Sequence, residues 1–154
     1  MKITINILFI SLLFLVQACK IEEKCGECFS APAAFTFAIV DKLTGENLFT
    51  NGTYKPEQIE VLNLADNTKI EYSFIPEQKN NLIRIYSIGW KTEKINITVK
   101  VLNQSIFSMY VDAVRKSEKC CSFTEYNEVL IQNAEFVLDA ETGIYTIRVD
   151  THIP

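Results

Sequence analysis

The sequence predicts an all-β protein, an antiparallel β-sandwich of immunoglobulin-like or related Greek-key type. Three observations carry that expectation. Apolar and polar residues alternate at period two in run after run, which is the spacing that turns one face of a strand inward. Turn signals recur about every 8–12 residues. No segment sustains the 3.6-residue apolar repeat of an amphipathic helix.

The elements follow in order. Phe35, Phe37 and Ile39 alternate with Thr36 and Ala38, and Asp41 to Gly45 closes that strand with a turn. Leu48-Phe49-Thr50 and Thr53-Tyr54-Lys55 flank Asn51-Gly52, a pair suited to a hairpin because both turn positions want positive φ. Pro56 ends that strand, and a partly helical turn fits Pro56-Glu57-Gln58 or Glu118-Lys119. Ile59 to Leu64 leads through a polar turn into Lys69 to Ile75, where Ile70, Tyr72 and Phe74 share a face. After the polar break from Pro76 to Asn81 come Leu82 to Ile88 and then Lys94 to Leu102, with Ile95, Ile97, Val99 and Val101 on one side. Ile106 to Val114, Tyr126 to Ile131, Glu135 to Leu138 and Ile144 to Val149 complete the strands. Lys116 to Thr124 reads as the longest irregular stretch. One pattern occurs twice, at Asp41 to Gly45 and Asp139 to Gly143. Asp can accept a backbone N–H at the start of a turn and Gly can close it in the left-handed region, whereas a calcium loop would need more oxygen ligands.

Composition narrows the function. The 154 residues include ten Phe, six Tyr and one Trp, enough apolar material for a packed core rather than disorder. The formal net charge is −4 and the Lys and Arg residues are scattered. Without a basic patch there is no footprint for phosphates, so nucleic acid is not expected as a partner.

The N-terminus says where the chain resides. Lys2 precedes an apolar run from Ile3 to Val16, and Leu15-Val16-Gln17-Ala18-Cys19 follows. The run is shorter than the roughly 20 residues of a membrane-spanning helix and reads as a secretory signal. Its ending resembles the lipobox of bacterial lipoproteins, in which a small residue fits the peptidase and only a thiol can accept diacylglycerol. Val16 and Gln17 depart from the commonest residues, while Ala18 and Cys19 match. The resemblance implies a signal peptide over 1–18, lipidation at Cys19, a lipidated tether and lead-in over 19–34, and the β-sandwich over 35–150. Acyl chains contribute about 0.8 kcal/mol per buried methylene, so the membrane partner is engaged without a spanning helix. Lys at position 20, in place of the Asp that signals inner-membrane retention, implies an outer-membrane destination. The charged run Lys20 to Lys24 is similar to signals that send Bacteroidota-type lipoproteins to the cell surface.

With Cys19 given to lipid, Cys25, Cys28, Cys120 and Cys121 remain, an even number in an exported chain. They are disulfide candidates, either as two long-range bridges or as a Cys25–Cys28 loop with a vicinal Cys120–Cys121 bond. Cys25-Gly26-Glu27-Cys28 also has the spacing of a redox pair, or of half a zinc site. It lacks the strand before and the helix after that a thioredoxin-type site uses, and adjacent Cys120 and Cys121 do not offer a second half-site.

No catalytic constellation is expected. His152 is the only histidine and stands two residues from the end. Gly-rich phosphate loops, metalloprotease helices and nucleophile elbows are absent from the sequence, and neither metal nor cofactor is implied. The remaining lead is aromatic. Trp90, with Tyr86, Tyr110 and Tyr126, could form a stacking platform for sugar rings, although a Trp beside a Gly at a strand end is more simply read as packing. The sequence therefore predicts a non-enzymatic, membrane-anchored envelope lipoprotein that binds an unknown protein or glycan partner. A glycan-binding accessory protein, or a thiol-active or metal-binding protein using Cys25 and Cys28, is the alternative.

Overall fold

The computed structural model describes residues 28–77, 80–118 and 121–151. The signal peptide, Cys19, Cys25, Cys120 and His152 lie outside the described residues.

Among the described residues ten strands run in chain order: β1 Cys28–Phe29, β2 Phe35–Asp41, β3 Ile59–Asn63, β4 Tyr72–Glu77, β5 Asn80–Ile85, β6 Glu93–Val101, β7 Gln104–Glu118, β8 Cys121–Gln132, β9 Glu135–Leu138 and β10 Ile144–Val149. They form two five-stranded sheets, in the orders β1-β8-β7-β6-β3 and β4-β5-β2-β10-β9. The all-β sandwich expected from the period-two pattern is therefore the fold. Both sheets are mixed rather than purely antiparallel, because β1 runs parallel to β8 and β10 parallel to β2. Parallel neighbours need long connections. The chain supplies them by crossing between sheets before returning, a feature that alternation cannot reveal.

The core lies between the sheets. Phe37, Ile39, Ile83, Ile85 and Ile147 face it from one side, and Val61, Ile97, Val99, Phe107, Met109 and Val111 from the other. The Phe37 and Phe107 rings meet across the interior with centroids 4.7 Å apart. Alternation places these side chains inward, and their burial is the main force holding the sheets face to face. Among the described residues no helix is long and apolar enough to cross a membrane.

Three local expectations change. The Asn51-Gly52 hairpin does not form, and residues 48–54 make successive turns instead. Asn47 Oδ1 accepts the N–H groups of Phe49 and Thr50, which folds the segment back and lets Leu48, Phe49 and Tyr54 join the core. Within the stretch read as irregular, Lys116 to Glu118 belong to β7 and Cys121 to Thr124 to β8, while Lys119 and Cys120 lie outside the described residues. The ladder persists there through pairs such as Arg115–Thr124 and Lys116–Phe123, with Lys116 and Glu125 ion-paired on the surface. Glu118 is accordingly extended, and the helical turn falls at Pro56–Gln58 as a 3-10 helix.

The repeated Asp-to-Gly pattern is turn chemistry at both sites. Asp41 Oδ1 accepts from the N–H groups of Leu43 and Thr44, and Asp139 Oδ1 from those of Glu141 and Thr142. Gly45 and Gly143 close the turns at φ 73° and 70°.

Candidate binding site at Trp90

The loop from Tyr86 to Thr92 joins the two sheets between β5 and β6, and its apolar and polar residues are sorted by neighbour. Ile88 turns inward and is buried in the core. Ser87 Oγ donates to the Glu71 carbonyl at 3.1 Å, fixing the loop to the segment before β4. Gly89 adopts φ +94°. Its N–H donates to Glu93 Oε1 at 2.8 Å and its carbonyl accepts from Thr124 Oγ1 at 2.6 Å. An added Cβ there would come within 2.9 Å of Tyr126 Oη and 3.0 Å of Thr124 Cγ2, so only glycine fits this crossing.

This anchoring sets Trp90 at the surface, 48% exposed. Its indole N–H donates to the Tyr86 carbonyl at 2.9 Å, which satisfies the polar end and fixes the ring plane. Phe29 lies near it with centroids 5.8 Å apart and planes 24° from parallel. The Arg115 guanidinium stands 4.9 Å over the Phe29 ring, a cation–π arrangement. Arg115 also donates to the Ser30 carbonyl and to Thr124 Oγ1 at 2.8 and 2.9 Å. Phe29 thus backs Trp90 and is itself held in place.

Beside the indole lies a groove of about 310 Å³. Ile70, Ile88 and Ile95 contribute apolar surface, and Lys69, Glu71, Lys91 and Glu93 bring both signs of charge. An aromatic wall with convergent polar groups is the composition of a small-ligand site. Sugars suit it chemically, since the C–H face of a pyranose stacks on an indole and its hydroxyls bond to carboxylates and ammonium groups.

The four aromatics named from sequence separate. Trp90 borders the groove, contrary to the plainer expectation of core packing. Tyr86 contributes its carbonyl to Trp90 and leaves its side chain 42% exposed. Tyr110, half-buried on β7, is paired in register with Asn96 and Leu130 and does not line the groove. Tyr126 is structural. Its hydroxyl, 3.0 Å from the Ala33 carbonyl and 3.3 Å from that of Ile88, donates to this pair, and its ring meets Phe35 edge-on. Burial pushes the Tyr126 hydroxyl above the usual tyrosine range, and the Glu93 charge adds to the effect. Sequence reasoning missed Phe29, Arg115 and the charged rim, because residues far apart in the chain carry no spacing signal.

Cys28 and Cys121 are joined in a disulfide, with Cα atoms 4.4 Å apart. They are register partners in the parallel β1–β8 pair, so the backbone already sets the sulfurs opposite each other. Cys28 therefore forms a long-range bridge rather than a local pair with Cys25. Among the described residues no group of His, Cys, Asp or Glu is arranged to hold a metal ion. No protein-family model, curated protein or solved structure matches the chain.

Proposed function

We propose that the chain is a non-enzymatic envelope lipoprotein, held in the outer membrane by lipid on Cys19, whose sandwich acts as a tethered binding module. The observation that carries the binding half is the half-exposed Trp90, braced by Phe29 and bordering a charged groove. Burying a large ring would stabilise the fold, so a ring held rigidly at the surface favours a contact role. The Cys28–Cys121 disulfide supports the anchored half. It fits an oxidising, exported location and fastens the domain nine residues after the lipid-bearing cysteine.

A glycan is the ligand class the groove favours. Trp90 is the only tryptophan in the chain, so selectively excited tryptophan emission reports on this site alone. Titration with soluble cello-, xylo- and manno-oligosaccharides should change that emission saturably for at least one series, and calorimetry should show the binding lost in W90A. Emission and heat unchanged by every series would remove the glycan reading. A protein ligand would then be sought at the same groove.

A further inference from the structure

We infer that the end of the sandwich bearing Phe29, Trp90 and Tyr86 docks on the surface of the bilayer that holds the anchor. The inference rests on the lipid reading of Cys19 and adds an orientation to it. Register brings the chain's entry and the Trp90 loop to this one end. Phe35, where β2 begins, pairs with Ile85, where β5 stops, and Tyr86 to Trp90 follow directly. Cys28 pairs with Cys121, and Cys121 with Glu118 at the close of β7. Gln104, where β7 begins, lies at the opposite end against Val101.

The tether limits how the domain can stand. Cys28 comes nine residues after Cys19, and a chain of that length reaches at most about 30 Å. β7 has 15 residues, which extend about 50 Å at the rise of a strand. Cys28 is level with the Glu118 end of β7, and its disulfide to Cys121 keeps it there. The domain therefore cannot stand on its Gln104 end with Phe29 pointing away from the bilayer. Phe29, one residue beyond Cys28, is held within reach of the lipid surface.

The side chains at this end suit a lipid interface. Phe29, Trp90 and Tyr86 are 62%, 48% and 42% exposed, and among the described residues the only other aromatic so exposed is Phe136, on β9. Trp and Tyr favour the headgroup level, where one part of the ring is apolar and the other wet. The indole N–H of Trp90 is already bonded to the Tyr86 carbonyl, so the ring can leave water without giving up a hydrogen bond. Phe29 is held between Trp90 and the Arg115 guanidinium, and rings fixed in advance lose little freedom on contact. Phe29 does not line the groove beside Trp90, so the lipid contact adjoins the ligand site rather than filling it.

The test uses the full-length chain, purified from membranes and reconstituted into vesicles of phosphatidylethanolamine and phosphatidylglycerol. Flotation with the vesicles reports the anchor. Contact is read from Trp90 emission in vesicles whose acyl chains are plain or brominated near the headgroup, because bromine quenches only at close range. A ring seated at the boundary of headgroup and acyl chain should lose about half its emission or more to the brominated lipid. F29L should keep that loss, and F29E should abolish most of it. Flotation with equal emission in both lipids would overturn the docking while leaving the anchor intact, and would leave this end free for a protein ligand. Quenching unaltered in F29E would overturn it as well. Failure to float would remove the anchor and this inference together.

Discussion

Gly89 and Tyr126 meet at the crossing of two sheets, where a methyl group on the glycine would lie 2.9 Å from the tyrosine hydroxyl. The contact links the Trp90 loop to β8, and through Tyr126 to the lead-in segment at Ala33. G89A should therefore do two things at once. It should lower stability by about 2 kcal/mol through backbone strain and collision, and it should shift Trp90 emission as the loop is displaced. Chemical denaturation followed by fluorescence reads both. A variant with unchanged stability and emission would show that the loop does not depend on this crossing.

Asp41 makes a second prediction, about acid. The Thr151 hydroxyl at 2.5 Å, followed by the Thr44 and Leu43 N–H groups, lowers its pKa from 3.8 to about 2. The folded state binds the proton less readily than the unfolded chain. Stability from this group is therefore complete above pH 3.8 and is lost as the pH falls toward 2. The urea midpoint of the wild type should decline across that window, and D41N should flatten part of the decline. Parallel slopes in both proteins would refute the assignment.

The disulfide spans a sequence separation of 93. In the chain-entropy description a closure of that length contributes about 4–5 kcal/mol by restricting the unfolded chain. The C28S/C121S double variant should lose an amount of that order and should respond less to reductant than the wild type. An unmoved denaturation midpoint would mean that the β1–β8 pairing holds the segment without the bond.

The core offers a plainer check. Phe37 is fully buried against Phe107, with Tyr145 on a second side at 5.5 Å. F37A should cost about 3–5 kcal/mol, read from equilibrium unfolding. A loss below about 1 kcal/mol would show that the site collapses around the missing ring.

What the sequence revealed follows from how local each signal is. Phe35, Phe37 and Ile39, or Ile97 and Val99, declare their strands because alternation needs only neighbours. The Asp41 and Asp139 turns were legible for the same reason. Asn51-Gly52 misled because burial of Leu48, Phe49 and Tyr54 outweighed the preference of a dipeptide. Lys116 to Thr124 hid a strand because its pairing comes from the cross-strand partner and not from its own pattern. The parallel β2–β10 pairing joins residues about a hundred positions apart, and nothing local encodes it. Trp90 was legible as a candidate because it is the single tryptophan, whereas Phe29 and Arg115, which lie beside it in the fold, were not, since only the folded chain brings them together.

The most direct measurement is of the anchor on which the tethered reading depends. The full-length chain, expressed in a diderm bacterium with a clickable palmitate analogue, would be extracted from membranes and its N-terminal peptide weighed. The expected result is a mature chain that begins at Cys19 and carries acyl groups, with no label on C19A. A mature chain that begins elsewhere, unlabelled and recovered without detergent, would contradict the lipoprotein account.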